Sequence, residues 1–223
     1  GVAGLVRRAW GGPFREWSAE PLAPAAPRAS VKHPNWVMGP KISVDSATLM
    51  NKGLELIEAA TLYGLPVAQL DVVIHPESAI HSLVSYVDGS QLAQLGSPDM
   101  RVPIAHALAW PERWTSGVAP LDLVALARMR FEAPDPARFP CLRLAREAMA
   151  AAGQMPLVLN AANEVAVQGF LDRQLGFMDM PRMIEHCLEA HASPHAADLE
   201  AIQALDREVR QTARDWAHRE VAA

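Results

Sequence analysis

Lys41-Ile42-Ser43-Val44-Asp45-Ser46-Ala47-Thr48-Leu49-Met50-Asn51-Lys52-Gly53-Leu54-Glu55 is the stretch that decides how the first half of the chain is read. Ile42 to Val44 is short and rich in β-branched residues. The Asp45-Ser46 pair that follows suits a strand ending at a helix N-cap. Apolar Leu49, Met50, Leu54, Leu56, Ile57 and Ala60 then recur at helical spacing and Gly64 supplies a stop, so the spacing predicts a helix from about Ala47 to Tyr63. A strand running into a helix places this region in an α/β class.

Working outward, Val72-Val73-Ile74 reads as a buried strand. Ile80 to Val87 and Leu92 to Leu95 flank Asp88-Gly89, a strong hairpin signal. Upstream, residues 1 to 9 lack a recognisable apolar strand, and Pro21 to Pro27 and Lys32 to Pro40 read as loop. Downstream, prolines 111, 120, 134, 136 and 140 leave room for one short helical stretch, Leu121 to Ala127. Beyond them the pattern is helical: Cys141 to Ala152 ending at Gly153, Leu157 to Arg173, Pro181 to His191 begun by Asp179, and Asp198 to His218. The last carries Leu199, Ile202, Leu205, Val209 and Trp216 on one stripe. The expected architecture is an α/β domain over residues 10–109, a proline-rich connector over 110–136 and an all-α C-terminal helical bundle over 137–223, with 1–9 as an N-terminal remnant.

Composition narrows the function classes. The 223 residues are 50% hydrophobic, enough for a substantial core. The net charge is −5, and the 20 Lys and Arg are scattered rather than gathered into a stripe, which argues against nucleic acid as a partner. Cys141 and Cys187 are the two cysteines, each among helix-forming residues; they fit buried thiols in a reducing compartment, and a cytoplasmic setting is expected. No apolar run approaches the roughly 20 residues that span a bilayer, and no signal-peptide order opens the chain. The start at Gly1 suggests that residues upstream have been lost.

The helix after Ser46 carries the candidate chemistry. At about 100° per residue, Thr48, Asn51, Lys52 and Glu55 share one sector, opposite the apolar positions. Ser46, backbone N–H groups at a helix start and Lys52 suit phosphate, and Glu55 suits a hard cation. The competing reading is a solvated face with a Lys52–Glu55 helix pair. In His33-Pro34-Asn35-Trp36-Val37-Met38-Gly39, a Trp and a Met in a loop should cover either a core edge or a ligand. His75 and His81, six residues apart, read as structural or supporting residues. His106, His186, His191, His195 and His218 carry no partnered motif.

Together these segments resemble one family. Lys41 to Thr48, Met50 to Glu55, His33 to Trp36, Ile74-His75-Pro76-Glu77-Ser78, Leu92 to Gly96, Pro98-Asp99-Met100-Arg101 and Leu159-Asn160-Ala161-Ala162-Asn163-Glu164 look like the catalytic core of the 1-deoxy-D-xylulose 5-phosphate reductoisomerases, over nearly all of residues 10 to 220. The resemblance implies an NADP-dependent oxidoreductase and isomerase of isoprenoid precursor synthesis, homodimeric, acting on a sugar phosphate with NADPH and Mg²⁺ or Mn²⁺. It implies that Ser46, Asn51 and Lys52 bind substrate and its phosphate, and that Glu55 is a metal ligand that also touches substrate. His33 is implied as a substrate-contacting lid residue, Trp36 and Met38 as its cover, and Gly39 as a backbone contact to NADPH. The catalytic set is then Glu55, His33 and Lys52.

Two departures accompany the resemblance. The family's NADPH-binding domain and an Asp-x-Glu pair of metal ligands are expected to precede this chain. At Trp10-Gly11-Gly12-Pro13-Phe14, the family has a phosphate-binding serine where Trp10 stands. The resemblance therefore leaves open a catalytically inactive fragment that folds or dimerises. Without the resemblance, Lys52 and Glu55 also suit a phosphosugar isomerase or a Schiff-base aldolase.

Overall fold

The computed structural model describes residues 1–9, 39–192 and 196–221. The expectations for Trp10, the Pro21–Pro27 loop, His33, Trp36, Met38 and His195 fall outside them. The described residues form two compact units, one from residues 1–9 and 68–134 and one from residues 39–67, 135–192 and 196–221. An α/β part and a helical part are both present, as the sequence led us to expect.

The strand unit is a mixed four-stranded sheet in the order β2-β1-β3-β4. Its strands are β1 (Val2–Ala9), β2 (Leu70–Ile74), β3 (Ile80–Tyr86) and β4 (Gln91–Leu95). The presence of β1 corrects the expectation for residues 1 to 9. Its side chains, with Gly4 inside and Arg7-Arg8 near the end, give no clean alternation. The strand forms because its backbone pairs on both sides, parallel to β2 (Ala9 opposite Ile74) and antiparallel to β3 (Val6 opposite Leu83). Gly4 fits closely there: an added Cβ would lie 3.1 Å from the Gln69 carbonyl oxygen, so the neighbouring backbone would have to give by a few tenths of an ångström. The β3–β4 hairpin closes as expected: Gly89 takes φ 86°, the Ser90 amide donates to the Asp88 carboxylate at 2.9 Å, and the Tyr86 amide donates to the Ser90 carbonyl at 2.9 Å.

After the sheet come α3 (Arg101–Ala109), which the sequence reading did not anticipate because Pro103 interrupts its pattern, and α4 (Leu123–Leu126). The proline-rich stretch is fastened to the strand unit. Ile74 and Glu132 form an isolated bridge, and Arg130 donates to Glu77 at 2.6 Å. Burial pushes the Glu77 carboxyl up, but the Arg130 backbone and side-chain hydrogen bonds outweigh it and hold the group at about 2.

The helical unit contains α1 (Pro40–Ala47), α2 (Met50–Tyr63), α5 (Pro140–Ala151), α6 (Met155–Leu171), α7 (Asp179–Ala190) and α8 (Leu199–Val221). The strand expected over Ile42 to Val44 is therefore a helix. Pro40 starts it in the first-turn position that proline favours, Ser43 Oγ donates to the Gly39 carbonyl at 3.0 Å, and Lys41 pairs with Asp45 at 2.7 Å. Val44 is fully buried, and that burial outweighs the small helix penalty of a β-branched residue. Thus α1 and α2, placed with the strands in the sequence-based division, pack with the C-terminal helices. Their core combines Val44, Ala47 and Met50 with Leu144 and Ala145 of α5, Val158 and Ala162 of α6, Met183 of α7 and Val209 of α8. On the stripe of α8, Val209 is buried as expected, whereas Leu199 is 69% exposed at the helix start.

Helix α2 runs against α5 at Gly53, where an added Cβ would overlap Ala145 Cβ and come within 3.8 Å of the Cys141 carbonyl oxygen. Neither backbone can rotate such an atom away. Gly53→Ala should therefore destabilise the protein by about 1–3 kcal/mol through overpacking, despite the ~1 kcal/mol helix-propensity gain of alanine over glycine. Denaturant titration of both proteins checks this; a more stable variant would mean that the two helices do not approach so closely.

Candidate functional site

The candidate residues lie on either side of a helix break. The chain leaves α1 at Ala47, Leu49 takes the left-handed conformation with φ 59°, and α2 begins at Met50. Thr48 fastens the break: its Oγ1 lies 3.1 Å from the Val44 carbonyl and 3.3 Å from that of Asp45, and it accepts from the Met50 amide at 3.3 Å. Two site expectations change as a result. Thr48 is 5% exposed and bonded to backbone, so it does not share the polar face of α2. Ser46 sits in the last turn of α1 rather than at a helix N-terminus, although it remains partly exposed.

On α2, Asn51, Lys52 and Glu55 do come together. Asn51 Nδ2 donates to one Glu55 carboxylate oxygen at 2.9 Å and Lys52 Nζ to the other at 2.6 Å. The side chains of Lys52 and Glu55 are 13% and 22% exposed, so this is a partly sheltered pair and not the solvated face that residue types alone allowed. An amide, an ammonium and a carboxylate held together can present donors to an anion and a carboxylate oxygen to a hard cation. The ion pair holds the Lys52 amine as a hydrogen-bond donor to Glu55. A divalent cation needs more than one carboxylate, and among the described residues no group of three His, Cys, Asp or Glu could hold a metal ion. Gly39, the N-cap of α1, is exposed; its carbonyl accepts from the Ser43 amide at 3.2 Å and from Ser43 Oγ at 3.0 Å.

The remaining candidates have local partners. His75 is fully buried in the strand unit; its Nδ1 lies 2.9 Å from the Arg130 carbonyl, its Nε2 accepts from the Ala79 amide at 3.2 Å, and its ring stacks on Phe131. Both ring nitrogens thus have partners within the strand unit, which fits a structural role. His81 Nδ1 lies 2.9 Å from Gln94 Oε1, and burial is the main influence lowering its pKa. Both cysteines are buried thiols, and desolvation pushes Cys141 up to about 12 and Cys187 up to about 11. Neither is a reactive nucleophile.

Sequence reasoning read Asp45 only as part of a helix-capping pair and Asn163 only as part of a family motif. Asp45 is 3% exposed and Asn163 2%, and Asn163 Nδ2 donates to Asp45 Oδ1 at 2.9 Å across 118 residues of sequence. A separation of that size leaves no periodic signal; the motif around Asn163 was visible but its partner was not. A cavity of about 710 Å³ on the helical unit is lined by Lys41, Glu164, Gln168, Arg210 and Arg214 among others, and by none of Ser46, Asn51, Lys52 and Glu55. Arg210 there is held between Glu164 and Asp206, each at 2.7 Å.

Comparison with known proteins agrees with the motifs. A family model described as the DXP reductoisomerase C-terminal domain matches residues 95–212, and one described as the 1-deoxy-D-xylulose 5-phosphate reductoisomerase C-terminal domain matches residues 1–63. The 1-deoxy-D-xylulose 5-phosphate reductoisomerase of Pseudomonas putida is 57% identical over 219 residues, covering 98% of this chain and 55% of that protein. A DOX-P reductoisomerase crystallised with NADPH, fosmidomycin and magnesium superposes with a TM-score of 0.93 at 48% identity, over 98% of this chain and 56% of that one. The Zymomonas mobilis reductoisomerase in complex with NADPH gives 0.90 at 47% identity, over 97% and 56%. The chain spans about half the length of the relatives it matches. On the family models and this level of identity, the chain belongs to the 1-deoxy-D-xylulose 5-phosphate reductoisomerase family, and it matches the C-terminal domains of that family.

Proposed function

We propose that this chain is the substrate-binding and C-terminal part of an NADPH- and divalent-metal-dependent enzyme that isomerises 1-deoxy-D-xylulose 5-phosphate and reduces the product to 2-C-methyl-D-erythritol 4-phosphate. The convergence of Asn51 and Lys52 on the Glu55 carboxylate, at positions the family resemblance marks for substrate and metal, carries the reading. Ser46, Asn51 and Lys52 bind the phosphate and orient the sugar. Lys52, with three donors at the end of a flexible four-carbon stem, supplies the positive charge there. Glu55 supplies one carboxylate oxygen toward Mg²⁺ or Mn²⁺ and contacts substrate. His33 touches substrate from the lid, Trp36 and Met38 cover it and exclude water, and the Gly39 backbone contacts NADPH. When bound, the metal polarises substrate oxygens and NADPH supplies hydride. Further metal ligands lie outside the residues named here, because one carboxylate does not satisfy a cation that demands octahedral oxygen coordination.

The same reading extends to assembly as a homodimer through the β3–β4 hairpin. Strand β4 is exposed along its whole length, with Leu92 at 65%, and an apolar edge strand is a surface that proteins normally cover.

Glu55→Gln in a complete enzyme containing this chain keeps the shape and the Asn51 contact but removes the charge. Turnover is expected to fall by orders of magnitude, and raising the metal concentration should recover part of it. Wild-type turnover at ordinary metal concentration would remove Glu55 from the site.

The 223-residue polypeptide by itself should not reduce 1-deoxy-D-xylulose 5-phosphate. Hydride transfer needs the nicotinamide held against the substrate, and losing that positioning forfeits roughly 7–11 kcal/mol. NADPH absorbance followed with saturating substrate and Mn²⁺, beside an intact relative, measures this; substrate-dependent oxidation that survives further purification would contradict it.

A further inference from the structure

Resting on the reading of Ser46, Asn51, Lys52 and Glu55 as the anion- and cation-facing cluster, we infer that Asp45 and Asn163 are positioning residues for it. Together with Lys41, they set the rotation of α1 and so the placing of Ser46 and of the first turn of α2. Both carboxylate oxygens of the buried Asp45 are engaged: Oδ1 accepts from Asn163 Nδ2 at 2.9 Å and Oδ2 from Lys41 Nζ at 2.7 Å. Their apolar neighbours in sequence, Val44, Ala47, Ala161 and Ala162, are all fully buried. Hydrophobic packing alone could hold α1 against α6, and an apolar pair in place of a buried polar one is often no less stable. What the hydrogen-bonded pair adds is direction: it is satisfied at one rotation of α1 and leaves a buried carboxylate and amide unpaired at others. That rotation reaches the cluster by two short covalent routes. Ser46 is the next residue, and the Asp45 carbonyl lies 3.3 Å from the Thr48 hydroxyl that receives the Met50 amide where α2 starts.

Inorganic phosphate is the probe, titrated into isotopically labelled 223-residue chain while the backbone amide signals of Ser46, Asn51 and Lys52 are followed by NMR. Asn163→Asp sets a second carboxylate against Asp45. It should displace those signals before any phosphate is added and weaken phosphate binding about tenfold, by analogy with the lower end of the loss seen when partners that orient metal ligands are removed. Adding Asp45→Asn in the same chain restores one carboxylate and one amide, and should return both readouts to the parent values. Lys41→Met, at the half-exposed end of the network, should move them in the same direction by less while leaving the melting temperature near that of the parent; it decides the matter if Asn163→Asp alone does not fold. Unchanged signals and unchanged phosphate affinity in the folded variants would overturn the inference. A parent chain that ignores phosphate, with variant signals that still move and return, would refute the anion-site reading while supporting the positioning role.

Discussion

Leu49 holds a left-handed backbone conformation with φ 59°, which costs an L-residue roughly 1–2 kcal/mol. The placing of the candidate site depends on that one residue staying there. If residues 40 to 63 formed a single continuous helix, Ser46 would sit about 100° per residue around from Asn51 on one cylinder, with its direction fixed by the helix alone. With the break, α1 and α2 are separate rods and each can be oriented by what it packs on. Burial holds the strained residue: Leu49 is 2% exposed and Met50 fully buried, and the Gly53 amide still reaches the Leu49 carbonyl at 3.0 Å, so α2 starts without losing that bond.

The two rods are then fixed by contrasting means. Helix α2 is set by close contact, with Gly53 against Ala145, a fit without room for one more carbon. Helix α1 is set by a buried polar pair, which is less dense but more directional. Between them the face bearing Asn51, Lys52 and Glu55 stays partly sheltered, and its carboxylate is held by two donors before any ligand arrives. A site with donors already in place loses less conformational entropy on binding than one assembled from free side chains.

Much of this was legible in the sequence, and the exceptions share a cause. The hairpin could be read because Asp88-Gly89 encodes its own turn, and the end of α2 because Gly64 adopts the left-handed stop that glycine favours. The C-terminal helices were read from apolar spacing that their burial follows, apart from the exposed Leu199. Helix α1 was misread because Ile42 and Val44 are as suitable for a buried strand as for a buried helix, and three residues hold no period to separate the two. Strand β1 was missed because its partners begin some sixty residues later, at Leu70 and Ile80, and its own side chains do not alternate. At the site, Asn51, Lys52 and Glu55 share a face by helical arithmetic, whereas Thr48 was wrongly included because the break falls after it. The Asp45–Asn163 contact is tertiary, and no local pattern announces it.

The central claim is that the polar face of α2 is where this chain meets its anionic substrate and divalent cation, and paramagnetic Mn²⁺ tests it without requiring turnover. Titrated at low concentration into the labelled chain, Mn²⁺ should broaden the Asn51 side-chain amide and the Glu55 and Lys52 backbone signals first, even where binding is weak. Broadening that appears first at other acidic residues, such as Glu164 with Asp206 or Glu77, with the α2 signals still sharp, would contradict the account.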